Sequence, residues 1–339
     1  MPSQSDLLAA KKSMSRRYLT KAAPPQIRTF ALAVPLQPAQ NVVGVGVGIK
    51  ISEGKETDTI AVRFYVERKI AKEALSPKNL LPAEIDGVPT DVIVTGKFRM
   101  LGTAEDNKKR RRPVRPGTSV GFKFPHPKEN FVMAGTFGAV ATKSGKRFIL
   151  SNNHVLAENG LITLGSPIFQ PGLLDGGIVN SDQVATLSDM IPIKPTGFNK
   201  VDCALAEFLP GIQINARHMP RVGKLTSTTP IAAANGMLIE KTGRTTGYTR
   251  GRVVDVAADI NVPYEDPSGI EFIATFADQI VVVGTPPGSF SDSGDSGSLI
   301  VDRKTKRPTG LLFAGSNTHT IANHISDVLS TLRVKLETA

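Results

Sequence analysis

Ser296 stands in "SFSDSGDSGSLIVD", Ser289 to Asp302, with Asp295 before it and glycines at Gly294 and Gly297. At average residue usage, the four letters GDSG arise by chance in well under about 1% of chains this long. A serine hydroxyl is a poor nucleophile at neutral pH. It needs a base within hydrogen-bond reach, and that base needs a third group to orient it. Of five histidines, His126 lies between prolines, His218 in a polar loop, and His319 and His324 near the C-terminus. His154 differs: in "FILSNNHVLA" it follows an apolar run whose strand end can hold an imidazole in place.

The orienting carboxylate has three candidates. Asp202 opens the run "KVDCALAEF" among small and apolar neighbours, where an acid needs a buried partner. Asp182 and Asp189 lie in more polar surroundings, suited to solvated loop charges. Asp202 is therefore preferred, with Asp182 and Asp189 as the alternatives.

Rigid elements must present these groups. From Val120 onward the chain is a succession of short β-branched or apolar runs separated by turn signals: "GTFGAVAT", "RFILSNN", "SDQVATLS", "DCALAEFL", "GRVVDVAA", "IEFIATF", "QIVVVG", "SLIVD" and "TGLLFAG". That spacing predicts a pair of β-barrels or a sandwich, closed by the helix-like tail "ISDVLSTLRVKL". Upstream, "NVVGVGVGIKI", "DTIAVRFYVER" and "DVIVTGKF" read as strands and "KIAKEALS" as a helix, which makes a small α+β unit. The alternating Gly44, Gly46 and Gly48 do not sit between a strand and a helix. They fit a strand that another backbone approaches closely, not a phosphate loop. The expected organisation is a helix and Pro-punctuated connector over 1–40, the α+β unit over 41–103, an exposed basic linker over 104–119 and the strand-rich domain over 120–339.

His154, then Asp202 after 48 positions (202−154), then "GDSGS" with Ser296 after another 94 (296−202), resembles the chymotrypsin-like serine peptidases. "TGRTTGYTRGRV", Thr242 to Val253, is similar to the Gly-Arg-Thr-Thr-Gly segment of their bacterial α-lytic and streptogrisin branch. The layout of a basic or mixed domain before a disulfide-free peptidase domain more loosely resembles the intracellular trypsin-like proteins that include the plant narrow-leaf type. The resemblance implies a mainly β fold of two six-stranded antiparallel barrels, with the site in the crevice between them. It also implies a triad of Ser296, His154 and Asp202, an oxyanion hole from the N–H groups of Gly294 and Ser296, and acyl transfer without cofactor or metal. "GLLFAG" corresponds to the strand that pairs with substrate, so Phe313, Ala314 and Gly315 are expected to touch it. Counting back from Ser296 places Phe290 at the floor of the specificity pocket.

Two departures stand out: Asn152 and Asn153 occupy the usual small positions before the histidine and need hydrogen-bond partners if buried, and Ser298 replaces a common glycine. Nothing resembles the Ile-Val-Gly-Gly start that supplies a new amine to the carboxylate before the nucleophile. By analogy with the bacterial branch, Arg244 is the expected internal cation for Asp295.

The net charge of +11 is concentrated at one end: residues 1–120 carry 21 Lys and Arg against 11 Asp and Glu, or +10 of the total. A solvated basic face or an acidic partner fits this. Nucleic acid is not expected, because no RNA motif or aromatic stacking pattern accompanies the charge. A single cysteine, Cys203, excludes an intrachain disulfide and favours a cytoplasmic setting over secretion. No membrane span is expected and the basic start reads as an exposed amphipathic helix. The expected partner is a protein or peptide substrate, and homo-oligomerisation stays open. A non-catalytic binding or scaffold protein on the same fold is the alternative to a serine endopeptidase.

Overall fold

The computed structural model describes residues 2–19, 41–52, 54–70, 75, 77–96, 98, 106–124, 132–216, 218–265, 270–285 and 289–337. The expected connector over 20–40 and the helix expected in "KIAKEALS" lie largely outside them. Helix α1, Gln4–Tyr18, begins at a capping box in which the Ser3 hydroxyl accepts from Asp6 N–H and the Asp6 carboxylate accepts from Ser3 N–H. Strands β1 (Val42–Ser52), β2 (Lys55–Val66), β3 (Glu84–Ile85) and β4 (Val88–Val94) follow. Contrary to the expectation of an exposed helix, α1 docks Leu7, Ala10 and Met14 on Val42, Val45 and Phe64.

The strand-rich region forms two closed barrels. The first contains β5 (Ser119–Phe122), β6 (Gly135–Thr136), β7 (Ala139–Lys143), β8 (Lys146–Ser151), β9 (Pro167–Phe169) and β10 (Gln183–Met190). After the short β11 (Phe198–Asn199) comes its last strand, β12 (Ala204–Phe208). The order is β7-β8-β12-β10-β9-β5, and β5 returns to β6, which bends into β7 and closes the ring. Alternate inward residues such as Val140, Ile149, Val184 and Ala204 fill it.

A small ribbon, β13 (His218–Met219) with β14 (Gly223–Lys224), leads to the second barrel. This contains β15 (Leu238–Gly243), β16 (Gly247–Glu265), β17 (Glu271–Gly284), β18 (Leu299–Asp302), β19 (Pro308–Gly315) and β20 (His319–His324). It closes in the order β15-β16-β17-β20-β19-β18 and back to β15. Helix α3 (Ile325–Leu332) then packs Val328 and Leu332 into a core shared by the two barrels with Cys203, Leu299 and Val301. β21 (Lys335–Leu336) pairs back onto β7. The fold is mainly β, two six-stranded antiparallel barrels preceded by a small α+β unit.

Two features depart from a chain of separate domains. β16 and β17 run far beyond the barrel as a hairpin, bent by register shifts between Val253 and Ile260, and β1 pairs with its outer edge at Gly44↔Ile260 and Val45↔Asp259. The N-terminal unit thus continues the sheet of the second barrel. Gly46 is needed there, because a Cβ would lie 1.9 Å from the Asp255 carboxylate, so side chains crowd this strand as well as backbone. Second, the described part of the expected linker is packed. Arg110 Nε and Arg112 Nη2 lie 2.6 and 3.3 Å from Asp182 Oδ1, Arg112 Nη1 donates to Gln170 Oε1 at 2.8 Å, and Val114 is buried. One enclosed carboxylate and one enclosed amide give these charges a reason to fold inward.

Candidate active site

β8 is apolar and buried at its end, and it delivers the chain into a four-residue helix, α2 (Asn153–Leu156), that carries His154. β12 pairs antiparallel with β8, Ala204 opposite Ser151, so the residues just before β12 face those just after β8. Asp202 therefore meets His154. Its Oδ1 accepts the N–H groups of Asn153 (2.6 Å) and His154 (3.4 Å), and its Oδ2 lies 2.5 Å from His154 Nδ1. A carboxylate at Nδ1 puts the proton of a neutral imidazole there and leaves Nε2 as an acceptor. His154 is fully enclosed, and Nε2 has no hydrogen-bond partner among the described residues.

The two asparagines are buried and half satisfied. Asn152 Nδ2 donates to Asp202 O and Asn153 Nδ2 to Ile191 O, both at 2.7 Å, while their Oδ1 atoms have no partner among the described residues. The Asn152 donor ties the entry of the histidine helix to Asp202, and the Asn153 donor ties that helix to the segment that follows β10.

Ser296 comes from the turn before β18 in the second barrel. Gly294 and Gly297 have φ of 89° and 90°, and a Cβ at Gly297 would lie 2.1 Å from Ser151 Oγ, so neither tolerates a side chain. Thr136 of the first barrel braces the turn: its N–H donates to Ser296 O and its hydroxyl to Gly294 O, both at 2.8 Å. The N–H groups of Gly294 and Ser296 meet no acceptor among the described residues. Ser296 Oγ is 3.4 Å from Phe313 O, not bonded to His154, and Ser296 is only 3% exposed.

The carboxylate beside it, Asp295, is turned inward and receives five donors: Lys241 Nζ (2.8 Å), Thr246 Oγ1 (2.6 Å) and the N–H groups of Thr245, Thr246 and Asp292. The expected Arg244–Asp295 pair is not formed. Arg244 instead holds Asp175 through two bonds of 2.6 Å, and the internal cation is Lys241. Burial pulls the Lys241 ammonium below the ordinary lysine range against the opposing pull of Asp295. Lys241 stands two residues after Ile239 on β15, hence on the same side of the strand, but every residue from Ile239 to Gly243 is buried, so no alternation in the sequence marked it.

Phe290 is not at a pocket floor either. It packs in the core of the second barrel with Ile239, Val253 and Val282, with Lys241 Nζ 5.9 Å from its ring centroid. Phe313, Ala314 and Gly315 lie on β19, which runs past Ser296 with Gly297 N–H donating to Leu312 O at 2.8 Å. All three are buried, Phe313 against Phe276. Asp182 is held by Arg110 and Arg112, and Asp189 meets Lys143 at a half-exposed position. His319 is tucked against Tyr65, its imidazole lowered to about 4 by burial and Arg63, and His324 Nε2 lies 2.9 Å from Val256 O. His126 lies outside the described residues. A residue that sequence reasoning missed is Tyr264 on the hairpin, whose hydroxyl donates to Asp202 Oδ2 at 2.7 Å. Only the folded hairpin brings it there, so no local pattern could reveal it. No cluster of metal-ligating side chains occurs among the described residues.

Two closed six-stranded antiparallel barrels, with His154 and Asp202 on the first and Ser296 on a turn of the second, constitute the chymotrypsin-like fold. Residues 192–325 match the family described as the Nal1 C-terminal domain. The chain is 27% identical over 314 residues to the protein NARROW LEAF 1 of Oryza sativa subsp. japonica, covering 81% of this chain and 51% of the relative, so it spans about half that relative's length. Among solved structures, it is similar to a glutamic acid-specific serine protease (17% identity, TM-score 0.45, 66% of this chain and 100% of that one). It is also similar to Thermobifida fusca Protease A (15%, 0.44, 67% and 100%).

Proposed function

We propose that this chain is a serine endopeptidase that works through an acyl-enzyme. The observation that carries the reading is the enclosed His154–Asp202 pair, whose remaining imidazole nitrogen has no partner among the described residues, in a molecule that also places Ser296 in a glycine-flanked turn. In this reading Ser296 Oγ gives up its long contact with Phe313 O and turns to Nε2 when substrate binds; catalytic hydrogen bonds are commonly long or unformed before then. Ser296 Oγ then attacks the peptide carbonyl carbon while Nε2 takes its proton, and Asp202 holds the imidazolium in place. The carbonyl oxygen, now an anion, accepts from Gly294 and Ser296 N–H; losing one such donor typically costs about a hundredfold to a thousandfold in rate. The same proton passes to the leaving amine, and water, deprotonated by His154, releases the acid. The edge of β19 at Phe313 to Gly315 is the place for an extended substrate to pair.

One observation favours a binding protein on the same fold: His154 is fully enclosed, Ser296 nearly so, and the two are not bonded to each other. Fluorophosphonate labelling separates the readings. The peptidase reading expects a single adduct on Ser296, absent in Ser296→Ala. A folded chain that takes no label, even with peptide present, leaves the binding reading.

A further inference from the structure

The hairpin of β16 and β17 leaves the second barrel, crosses to the first and ends beside the His154–Asp202 pair. Tyr264, near its tip, donates its hydroxyl to Asp202 Oδ2 at 2.7 Å, the same oxygen that lies 2.5 Å from His154 Nδ1. The tyrosine ring stands edge-on to the imidazole at 6.3 Å and is stacked against Phe272 and tilted against Phe276. It is held from several sides. Asn159 Nδ2 donates to Glu265 O at 3.2 Å, β11 pairs with β17 at Phe198↔Thr275, and β1 pairs with β16. From the N-terminal unit, Lys11 Nζ reaches Asp259 and Asp278 at 2.5 and 2.9 Å.

We propose that Tyr264 is a positioning residue for the His154–Asp202 pair: it shares Oδ2 with the imidazole, fixes the carboxylate's rotation and draws off part of its negative charge. This rests on the peptidase reading for its kinetic consequence, but the geometric coupling stands apart from it. A donor on a carboxylate weakens that carboxylate's hold on any other proton. With Tyr264 in place, Asp202 offers less charge to the imidazolium than it otherwise would. Burial, and then the charge of Asp202, push the Tyr264 phenol well above its ordinary range, so it stays a donor throughout. The other titratable groups around the pair are Cys203, raised by burial, Glu158, which faces Tyr264, and Asp189, which acts on Cys203.

The test uses two substitutions in the full chain: Tyr264→Phe, which deletes the donor, and 3-fluorotyrosine at position 264, which keeps the packing and strengthens the donor. The histidine Cε1–H resonances are titrated by NMR, with His154→Gln to assign the signal, alongside the pH profile of kcat/KM. Tyr264→Phe is expected to move the His154 midpoint and the acid limb to higher pH by about half a unit or more, and to lower the plateau about tenfold. The fluorinated residue moves both to lower pH. A role in packing alone predicts no displacement by fluorine, so midpoints that stay put in the fluorinated chain overturn the proposal, even if Tyr264→Phe fails to fold. Opposite shifts by NMR in a chain that neither hydrolyses peptides nor takes a fluorophosphonate keep the Tyr264 coupling and sink the peptidase reading instead.

Discussion

Lys241 Nζ lies 2.8 Å from Asp295 Oδ2, and neither side chain has any solvent exposure. The pair joins β15 to the turn that carries Ser296. Thr246 completes it by donating to Asp295 while accepting from Lys241, so the carboxylate before Ser296 is neutralised from inside the folded chain. No new N-terminal amine is needed to fill that place. Arg244, three residues along, braces a different loop through Asp175.

Breaking the pair from one side leaves a buried charge, which typically costs about 3–5 kcal/mol. Lys241→Met is therefore expected to destabilise the chain by that order and to lower labelling of Ser296 with it. Lys241→Met with Asp295→Asn should recover part of the stability. Urea unfolding of the parent, both single variants and the double variant measures the coupling. In the parallel cycle, Arg244 should couple to Asp175 and far less to Asp295; coupling in the opposite order would mean that the contacts in solution differ from those described.

The catalytic reading predicts an order of severity. Ser296→Ala and His154→Ala should abolish hydrolysis with the fold retained, since each removes a reacting group; His154→Ala also empties an enclosed site and should be the less stable of the two. Asp202→Asn should cost roughly ten-thousandfold, because an amide offered to Nδ1 favours the wrong tautomer. Rates on a fluorogenic peptide, with circular dichroism for folding, decide it. Near-normal turnover in Asp202→Asn would remove Asp202 from the proposed role.

How much of this was legible depended on how local each contact is. His154 and Asp202 could be paired from sequence because each flanks an apolar strand and the two strands are neighbours. The strands were legible as short apolar runs between turns, but those runs fit a sandwich as well as a pair of barrels, and only the resemblance to the chymotrypsin-like peptidases implied two barrels. Lys241 was passed over because the cation for Asp295 was assigned by analogy to the arginine three residues later, which in the folded chain holds Asp175 instead. Phe290 was misplaced by counting residues through a loop, whereas its apolar ring is better buried in the barrel than in a pocket. The reach of the hairpin, and with it Tyr264 on Asp202, was not legible at all: a long strand pair reads the same whether its tip meets solvent or the far barrel.

An exposed basic linker over 104–119, as the sequence led us to expect, would be open to proteases, and the packing of its described part, 106–119, reverses that expectation. Exposed, contact-poor backbone is what proteases cleave. Here Arg110 and Arg112 converge on the enclosed Asp182, and Val114 exchanges backbone hydrogen bonds with Gln213 and Asn215. Limited trypsin treatment should spare Lys108 to Arg115 in the parent and cut there early in Asp182→Ala, as peptide mapping of the first fragments would show. Early cleavage at those sites in the parent would mean that the segment opens in solution.

The last prediction concerns Asp255, enclosed where β1 crosses β16. Its Oδ2 accepts the Tyr65 hydroxyl and its Oδ1 the Ala257 N–H, both at 2.9 Å, yet burial outweighs these bonds and raises its carboxyl to about 6. In the unfolded chain an aspartate titrates near about 3.9, so the folded state binds this proton more tightly. The stability it contributes is complete below about pH 4 and is lost as the pH rises through about 6, where the native carboxyl must ionise without adequate solvation. Asp255→Asn keeps the shape of the protonated form and has no charge to bury. The variant should match the parent near pH 4, gain on it between pH 4 and 6, and level off above that at up to about 3 kcal/mol of added stability. Urea unfolding of both chains at intervals from pH 4 to 8 tests this through their difference, which cancels every other titrating group. A difference that does not change with pH would show that Asp255 binds its proton no more tightly in the folded chain than in the unfolded one.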